Sequence, residues 1–173
     1  MNIKIKDFNC VNFTGLDPKT LEYIRKIRNN ENIRKCMYSE HIISKFEHLN
    51  FVDILGNDKK NLYYAVFFTE KIIGIIYLNK IDLINRTAYL GLYSDINNNI
   101  SNKGKILLEC LEYIAFKILK LRLLLLEVLA NNKKALIFYK KNNYAVKGVL
   151  EKIIKKNNKF IDVIIMQKNF RKK

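Results

Sequence analysis

Apolar and polar residues alternate through residues 2–8, where Ile3 and Ile5 stand between Lys4 and Lys6, and this period of two predicts an opening strand. The period then changes. Asp17 is placed to cap a helix whose first residue is Pro18, and Leu21, Ile24, Ile27 and Arg28 follow at helical spacing until Asn29 and Asn30. A second helix is expected over residues 44–55. Ser44 and Glu47 there form a capping-box pair, and Phe46, Leu49, Phe51, Val52 and Leu55 supply an apolar face. Two β-rich runs, 62–68 and 72–78, are joined by the short turn Thr69-Glu70-Lys71 as a hairpin, and a third run, 87–93, pairs with them. After a polar stretch comes Gly104 and a helix over about 105–120, with Ile106, Leu107, Cys110, Leu111, Ile114 and Ile118 on one side.

Residues 121–129 are almost continuously apolar, broken only by Arg122 and Glu127, which suits a strand buried on both faces at the sheet centre. Asn131 or Asn132 caps a further helix to about Lys141, ended by Asn142-Asn143. Two last strands, 144–154 and 159–167, are joined through residues 155–158. The order predicts one α/β domain over residues 1–173, with a mixed, mostly antiparallel sheet of about seven strands flanked by about four helices.

Composition narrows the function. Lys+Arg 32 against Asp+Glu 16 gives a formal net charge of +16, which raises nucleic-acid binding as a reading. The surplus is lysine, however; arginine occurs only at positions 25, 28, 34, 86, 122 and 171. A small anionic molecule is the expected partner, with no nucleic acid and no membrane. Cys10, Cys36 and Cys110 have neither disulfide-framework nor zinc spacing, so no metal is expected. The apolar run 123–126 is too short to span a bilayer, and residues 1–13 lack a signal-peptide core, so a cytoplasmic location is expected. There is no Walker loop, no Gly-x-Ser-x-Gly and no His-Glu-x-x-His, and His41 and His48 are the only imidazoles.

What remains is Glu127-Val128 ending the central strand, then Asn132-x-x-Ala135-x-x-x-Tyr139, then Tyr144. Seven residues are about two helical turns, so Asn132 and Tyr139 project from one side of their helix toward the preceding strand end. This pattern resembles the GCN5-related N-acetyltransferase (GNAT) superfamily, whose C-terminal half reads Val, then Asn-x-x-Ala-x-x-x-Tyr-x-x-x-Gly-Phe or Tyr; Asn143 stands here for the glycine. The resemblance implies the GNAT fold and acetyl-CoA as co-substrate. It also implies that Asn132 and Phe138 contact that co-substrate, and that Tyr139 donates a proton or hydrogen bond to the departing sulfur. The backbone near Leu92 and Tyr93 would polarise the acetyl carbonyl. The family's pyrophosphate loop, Gln/Arg-x-x-Gly-x-Gly/Ala, has its counterpart in residues 99–104, where only Gly104 survives; Asn102, Lys103, Gly104 and Lys105 would then hold the phosphates.

The N-terminal half, Arg28-Asn29-x-x-x-x-Arg34-x-x-Met37-Tyr38 and Ser44-x-x-x-His48-x-x-Phe51, most resembles the N-acetyltransferases of the pseudaminic-acid pathway. Those enzymes acetylate the 4-amino group of UDP-4-amino-4,6-dideoxy-N-acetyl-β-L-altrosamine on the way to flagellin glycosylation. By that resemblance Arg28, His48, Lys80 and Tyr93 line the nucleotide-sugar side, and Met37, Tyr38, Phe46 and Phe51 offer an apolar floor for a 6-deoxy methyl group. Direct attack by the amine is expected, with Glu127 as the base through a water, His48 as its substitute, and a structural ion pair as the bland role for Glu127. The expected assembly is a monomer or homodimer. Two rivals stand beside this reading: an acetyltransferase of ribosomal-protein N-termini, and a non-enzymatic basic nucleic-acid-binding module.

Overall fold

A computed structural model describes residues 2–170; Met1 and Arg171, both part of the sequence reading, lie outside them. The strands are β1 (Ile3–Ile5), β2 (Phe8–Asn12), β3 (Leu62–Phe68), β4 (Lys71–Asp82), β5 (Thr87–Ser94), β6 (Leu123–Leu129), β7 (Ala145–Lys156) and β8 (Lys159–Asn169). The helices are α1 (Pro18–Asn29), α2 (Glu31–Arg34), α3 (Lys45–Asn57), α4 (Lys103–Glu112) and α5 (Lys133–Lys141). All eight strands form one sheet in the order β1-β2-β3-β4-β5-β6-β8-β7. Only β5 and β6 run parallel.

The predicted caps hold the helices. Asp17 accepts from the amides of Lys19 and Thr20 at 2.9 and 3.0 Å, and Ser44 and Glu47 make the reciprocal capping box. The 121–129 run is the strand β6 but sixth of eight in the sheet, with Leu124, Leu126 and Val128 buried on one face and Leu123, Leu125 and Glu127 only half-buried on the other. Three further elements differ from expectation. The opening strand is two strands, because Lys6, with a φ of 53°, turns the chain so that Ile5 pairs with Phe8; a lysine in a left-handed turn gives no sequence signal. A short α2 follows Asn30, whose side chain caps it. The long helix changes at Tyr113 into a π-helix, Tyr113–Ile118, closed by Leu119 donating to the Ile114 carbonyl. Ile114, Ala115 and Phe116 are all buried there, and three consecutive residues do not fit one face at 3.6 residues per turn.

The sheet buries a core on each face. Leu107, Leu108, Cys110 and Leu111 of α4, with the π-helix, pack on Val66, Ile76, Leu90, Leu124 and Leu126. Ile24 and Ile27 of α1, Ile33 of α2 and Leu55 of α3 pack with Phe13 on Ala65 and Ile75. Gly74 of β4 allows the first layer its close approach, since a Cβ there would stand 2.6 Å from Leu107 and 2.5 Å from the Tyr93 carbonyl.

The parallel pair creates the site. β5 and β6 pair only from Thr87–Leu123 to Tyr89–Leu125, although β5 continues to Ser94 and β6 to Leu129. Beyond Tyr89 the strands part. Their inner edges, residues 90–94 and 126–128, line a wedge open at the C-terminal ends, where ligands of parallel strands characteristically bind.

Candidate active site

The wedge is the deep part of a cleft of about 1030 Å³. Its floor is β5 and β6, one wall is the start of α4, the second wall is α5, and the third is Asn32, Ile33, Cys36 and Met37. Leu92, Tyr93, Asn102, Lys103, Gly104, Lys105, Asn132, Phe138, Tyr139 and Glu127 all line this one cleft, although they come from four separate stretches of chain.

The start of α4 turns two amides without a helical acceptor toward the cleft. Asn102 takes a left-handed conformation (φ 57°, ψ 23°) and its carbonyl accepts from the amides of Lys105 and Ile106 at 2.9 and 3.1 Å. The amides of Lys103 and Gly104 come before the first intrahelical hydrogen bond and have no acceptor within the helix. This conformation is the one glycine ordinarily supplies, and asparagine is the side chain that best replaces it. Asn143, with φ 67°, is the second case, at the turn after α5. Both positions read as departures from the family pattern, and both keep the backbone it needs.

The two lysines of this loop spend their charge locally. Lys103 Nζ donates to the carbonyls of Asp95 and Asn98, the latter at 2.7 Å, and so ties down the loop before α4. Lys105 Nζ donates to Asn142 Oδ1 at 2.9 Å and lies 3.7 Å from Glu109. The buried Asp95 carboxylate takes the Tyr23 hydroxyl at 2.7 Å, which joins α1 to the same loop.

On the α5 wall the side chain of Asn132 accepts from the Ala135 amide at 3.1 Å, so Asn132 is the helix cap of the alternatives Asn131 and Asn132. Tyr139 is buried on the cleft side, packed edge-to-face on Phe138 and on Tyr144, with centroids 5.2 and 5.5 Å away. Its hydroxyl has no hydrogen-bond partner among the described residues. Burial, with a smaller contribution from Tyr77, pushes the phenol well above its ordinary value.

Glu127 projects from β6 to the cleft mouth, where Oε2 accepts from the Tyr38 hydroxyl at 2.5 Å. Tyr38 is therefore more than apolar floor. Burial and this hydrogen bond push its own phenol far up. Of the other floor residues, Met37 lines the cleft and Phe51 packs at 5.0 Å on Tyr63, whereas Phe46 is 80% exposed on the outer side of α3 and contributes nothing to the cleft.

The acceptor-side residues divide. Arg28 of α1 carries its guanidinium close to Tyr63, Tyr77 and Tyr93, and its charge opposes the burial that pushes all three phenols up, Tyr77 to about 12. Arg28 Nη1 is buried without a hydrogen-bond partner among the described residues. His48 stands apart: it is buried with its ring centroid 6.3 Å from Phe13, and burial, assisted by Arg25, lowers its pKa. Lys80 is exposed, its ammonium 4.8 Å from the Tyr89 ring centroid. Of the four predicted acceptor-side residues only Tyr93 lines the cleft; Arg28 lies behind the cleft-lining Tyr77 and Tyr93, and His48 and Lys80 stand away from it. Sequence reasoning missed Tyr77, whose ring lies over Gly91, where a Cβ would stand 2.0 Å from it. A lone glycine within a strand was the available signal.

The acetyltransferase (GNAT) domain family matches residues 16–165. The chain belongs to this GNAT acetyltransferase family. N-acetyltransferase activity follows from membership, and the reading as a non-enzymatic nucleic-acid module falls with it. Within the GNAT family the chain is 33% identical to Acetyltransferase PseH of Campylobacter jejuni strain 81-176 over 135 residues, which are 78% of this chain and 83% of that protein. The crystal structure of Campylobacter jejuni N-acetyltransferase PseH superposes with a TM-score of 0.73 at 28% identity, covering 94% of this chain and 98% of that one. A Vibrio cholerae spermidine N-acetyltransferase solved with CoA and spermine superposes with a TM-score of 0.86 at 22% identity over 95% and 96% of the two chains, a likeness of fold. Among the described residues no helix is long and apolar enough to cross a membrane.

Proposed function

We propose that the protein transfers the acetyl group of acetyl-CoA to the 4-amino group of UDP-4-amino-4,6-dideoxy-N-acetyl-β-L-altrosamine, in pseudaminic-acid biosynthesis for flagellin glycosylation. The observation that carries the acceptor class is Arg28. Its guanidinium acts electrostatically on Tyr77 and Tyr93, which line the cleft, and a fixed positive charge there favours an anionic acceptor over a polyamine. The net charge of +16 acts in the same sense, drawing in a nucleotide diphosphate and repelling a polycation. The identity with Acetyltransferase PseH supports the sugar within that class.

The residues present fit acetyl-CoA. The unpaired amides at Lys103 and Gly104 suit its pyrophosphate, and the free edges of β5 and β6 suit its extended arm. When bound, it supplies a thioester carbonyl open to an amine. Tyr93 meets the acceptor with the Arg28 charge behind it, and the backbone at Leu92 and Tyr93 polarises the carbonyl. Glu127 takes the amine proton through a water as the N–C bond forms and the C–S bond breaks. Tyr139 then donates a hydrogen bond to the departing sulfur. A phenol held above its ordinary value keeps its proton beside a thiolate whose conjugate acid has a pKa of about 8.5, so Tyr139 stabilises the leaving group without surrendering the proton.

The test is incubation with acetyl-CoA and the UDP-4-amino-sugar, following thiol release and product mass, with spermidine and a ribosomal-protein N-terminal peptide in parallel. One acetyl group gained by the sugar alone is the expected result. Acetylation of spermidine or the peptide instead would replace the acceptor, and Arg28→Leu should then leave turnover unchanged.

A further inference from the structure

Residues 35–44, between α2 and α3, form no regular element, yet their backbone is held from several sides. Arg25 donates to the Ile43 carbonyl at 2.7 Å, Asn29 pairs with Ile43 in both directions at 2.8 and 2.9 Å, and Arg34 donates to the Glu40 carbonyl at 2.6 Å. Those tethers come from the neighbouring helices. One comes from the far end of the chain: Lys156 Nζ donates to the carbonyls of Lys35 and Met37 at 2.8 and 2.7 Å, across 121 and 119 residues, and meets Glu40 Oε1 at 2.9 Å. An ammonium has three donors, and three oxygens take them. The side chain is only 7% exposed.

Local sequence delivers Lys156 to that place. Asn157 and Asn158, at φ 47° and 60°, make a two-residue turn with both central residues left-handed, so Lys156 is the last residue of β7, opposite Lys159. A register shift between Leu150 and Ile154, held by the Lys152 amide on Asp162 Oδ1 at 2.8 Å, marks a bulge of the kind that bends a hairpin. The segment Lys156 grips ends at Met37. The next residue is Tyr38, whose hydroxyl rests on Glu127.

We propose that Lys156 is a positioning residue for acetyl transfer: by gripping the carbonyls on either side of Cys36, it fixes the wall of the cleft and keeps the Tyr38 phenol on the Glu127 carboxylate. This rests on Glu127 as the base. Without the ammonium, two carbonyls and the Glu40 carboxylate lose their shared partner, the wall loosens, and Glu127 samples orientations away from the acceptor amine.

The test uses the full chain with acetyl-CoA and the UDP-4-amino-sugar, together with amide hydrogen exchange over residues 35–44, which needs no turnover. Lys156→Met should lower kcat about tenfold, leave the Kd for acetyl-CoA within about twofold, and speed exchange in the segment, while Lys156→Arg restores all three. Tyr38→Phe should lower kcat by a similar factor, and the double variant should be no slower than the slower single. An unchanged kcat in Lys156→Met, or losses that multiply in the double variant, overturns the inference. If the wild-type protein leaves the sugar unmodified, the acceptor reading fails instead and exchange decides: faster exchange rescued by arginine supports the grip, and unchanged exchange overturns it.

Discussion

Tyr139 packs edge-to-face on Tyr144 with ring centroids 5.5 Å apart, and Tyr144 is itself anchored, its hydroxyl donating to Glu112 Oε1 at 2.9 Å. Lys168 closes on the same carboxylate at 2.7 and 2.8 Å. The ring that faces the cleft is thus fixed from behind by a satisfied polar cluster, while its own hydroxyl has no hydrogen-bond partner among the described residues.

Removing that hydroxyl should therefore affect turnover without loosening the fold. Tyr139→Phe is expected to lower kcat by about 10²-fold, with the KM for acetyl-CoA and the thermal midpoint little changed. Because burial raises the Tyr139 phenol, it stays protonated through ordinary alkaline assays, and its contribution should persist to pH 9. Steady-state thiol release across pH 6–9, with calorimetry on both proteins, checks this.

Gly91 lies under the Tyr77 ring, where a Cβ would meet ring atoms at 2.0–2.2 Å. Gly91→Ala must push Tyr77 off its stack on Tyr63, now at a centroid distance of 4.9 Å. A loss of about 1–3 kcal/mol in stability is expected, with a raised KM for the acceptor. Urea denaturation and near-ultraviolet circular dichroism would register both.

Asn102 and Asn143 hold left-handed backbone in place of glycine. Asn143→Gly should be close to neutral, whereas Asn143→Ala should destabilise by about 1 kcal/mol, because an alanine Cβ clashes there and has no polar group to compensate. At Asn102 the same alanine change should also raise the KM for acetyl-CoA, since the conformation sets the direction of the amides that follow. Comparing the three variants separates backbone strain from cofactor binding.

His48 gives the protein an acid-sensitive core. Its pKa is lowered in the folded state by burial, so above the ordinary value of about 6.5 both folded and unfolded forms are neutral and its contribution is complete. As pH falls below that value the unfolded chain takes up the proton first, and stability declines until the lower folded pKa is passed. The denaturation midpoint should fall between pH 7 and pH 5, and His48→Phe, which keeps an aromatic ring beside Phe13, should flatten that decline. A midpoint equally pH-dependent in the variant would remove His48 from the account.

Most of the elements are legible in the sequence, because their signals are local. Asp17-Pro18 and Ser44 with Glu47 start helices through their own side chains, and alternation or unbroken apolarity marks the strands. The Asn132, Ala135 and Tyr139 spacing likewise fixed one face of one helix, and it carried the family with it. Signals failed where an unexpected side chain holds an unusual backbone, as Lys6 does, or where burial is too dense for an α-helix, as at residues 114–116.

Tertiary structure decided everything that depends on distance across the sheet. The parting of β5 from β6 after Tyr89 makes the cleft, and no periodicity within either strand encodes where two strands separate. Arg28 and His48, both charged or polar residues of amphipathic helices, look alike as letters; one reaches the tyrosines of the cleft and the other packs against Phe13 because their helices cross the sheet at different places. Tyr38 meets Glu127 across 89 residues of chain, and Lys156 meets Met37 across 119. Such contacts arise only when the sheet order brings β6 and the β7–β8 hairpin beside a loop from the first quarter of the sequence, since the energy that selects them comes from the packing of the whole sheet and from no local segment.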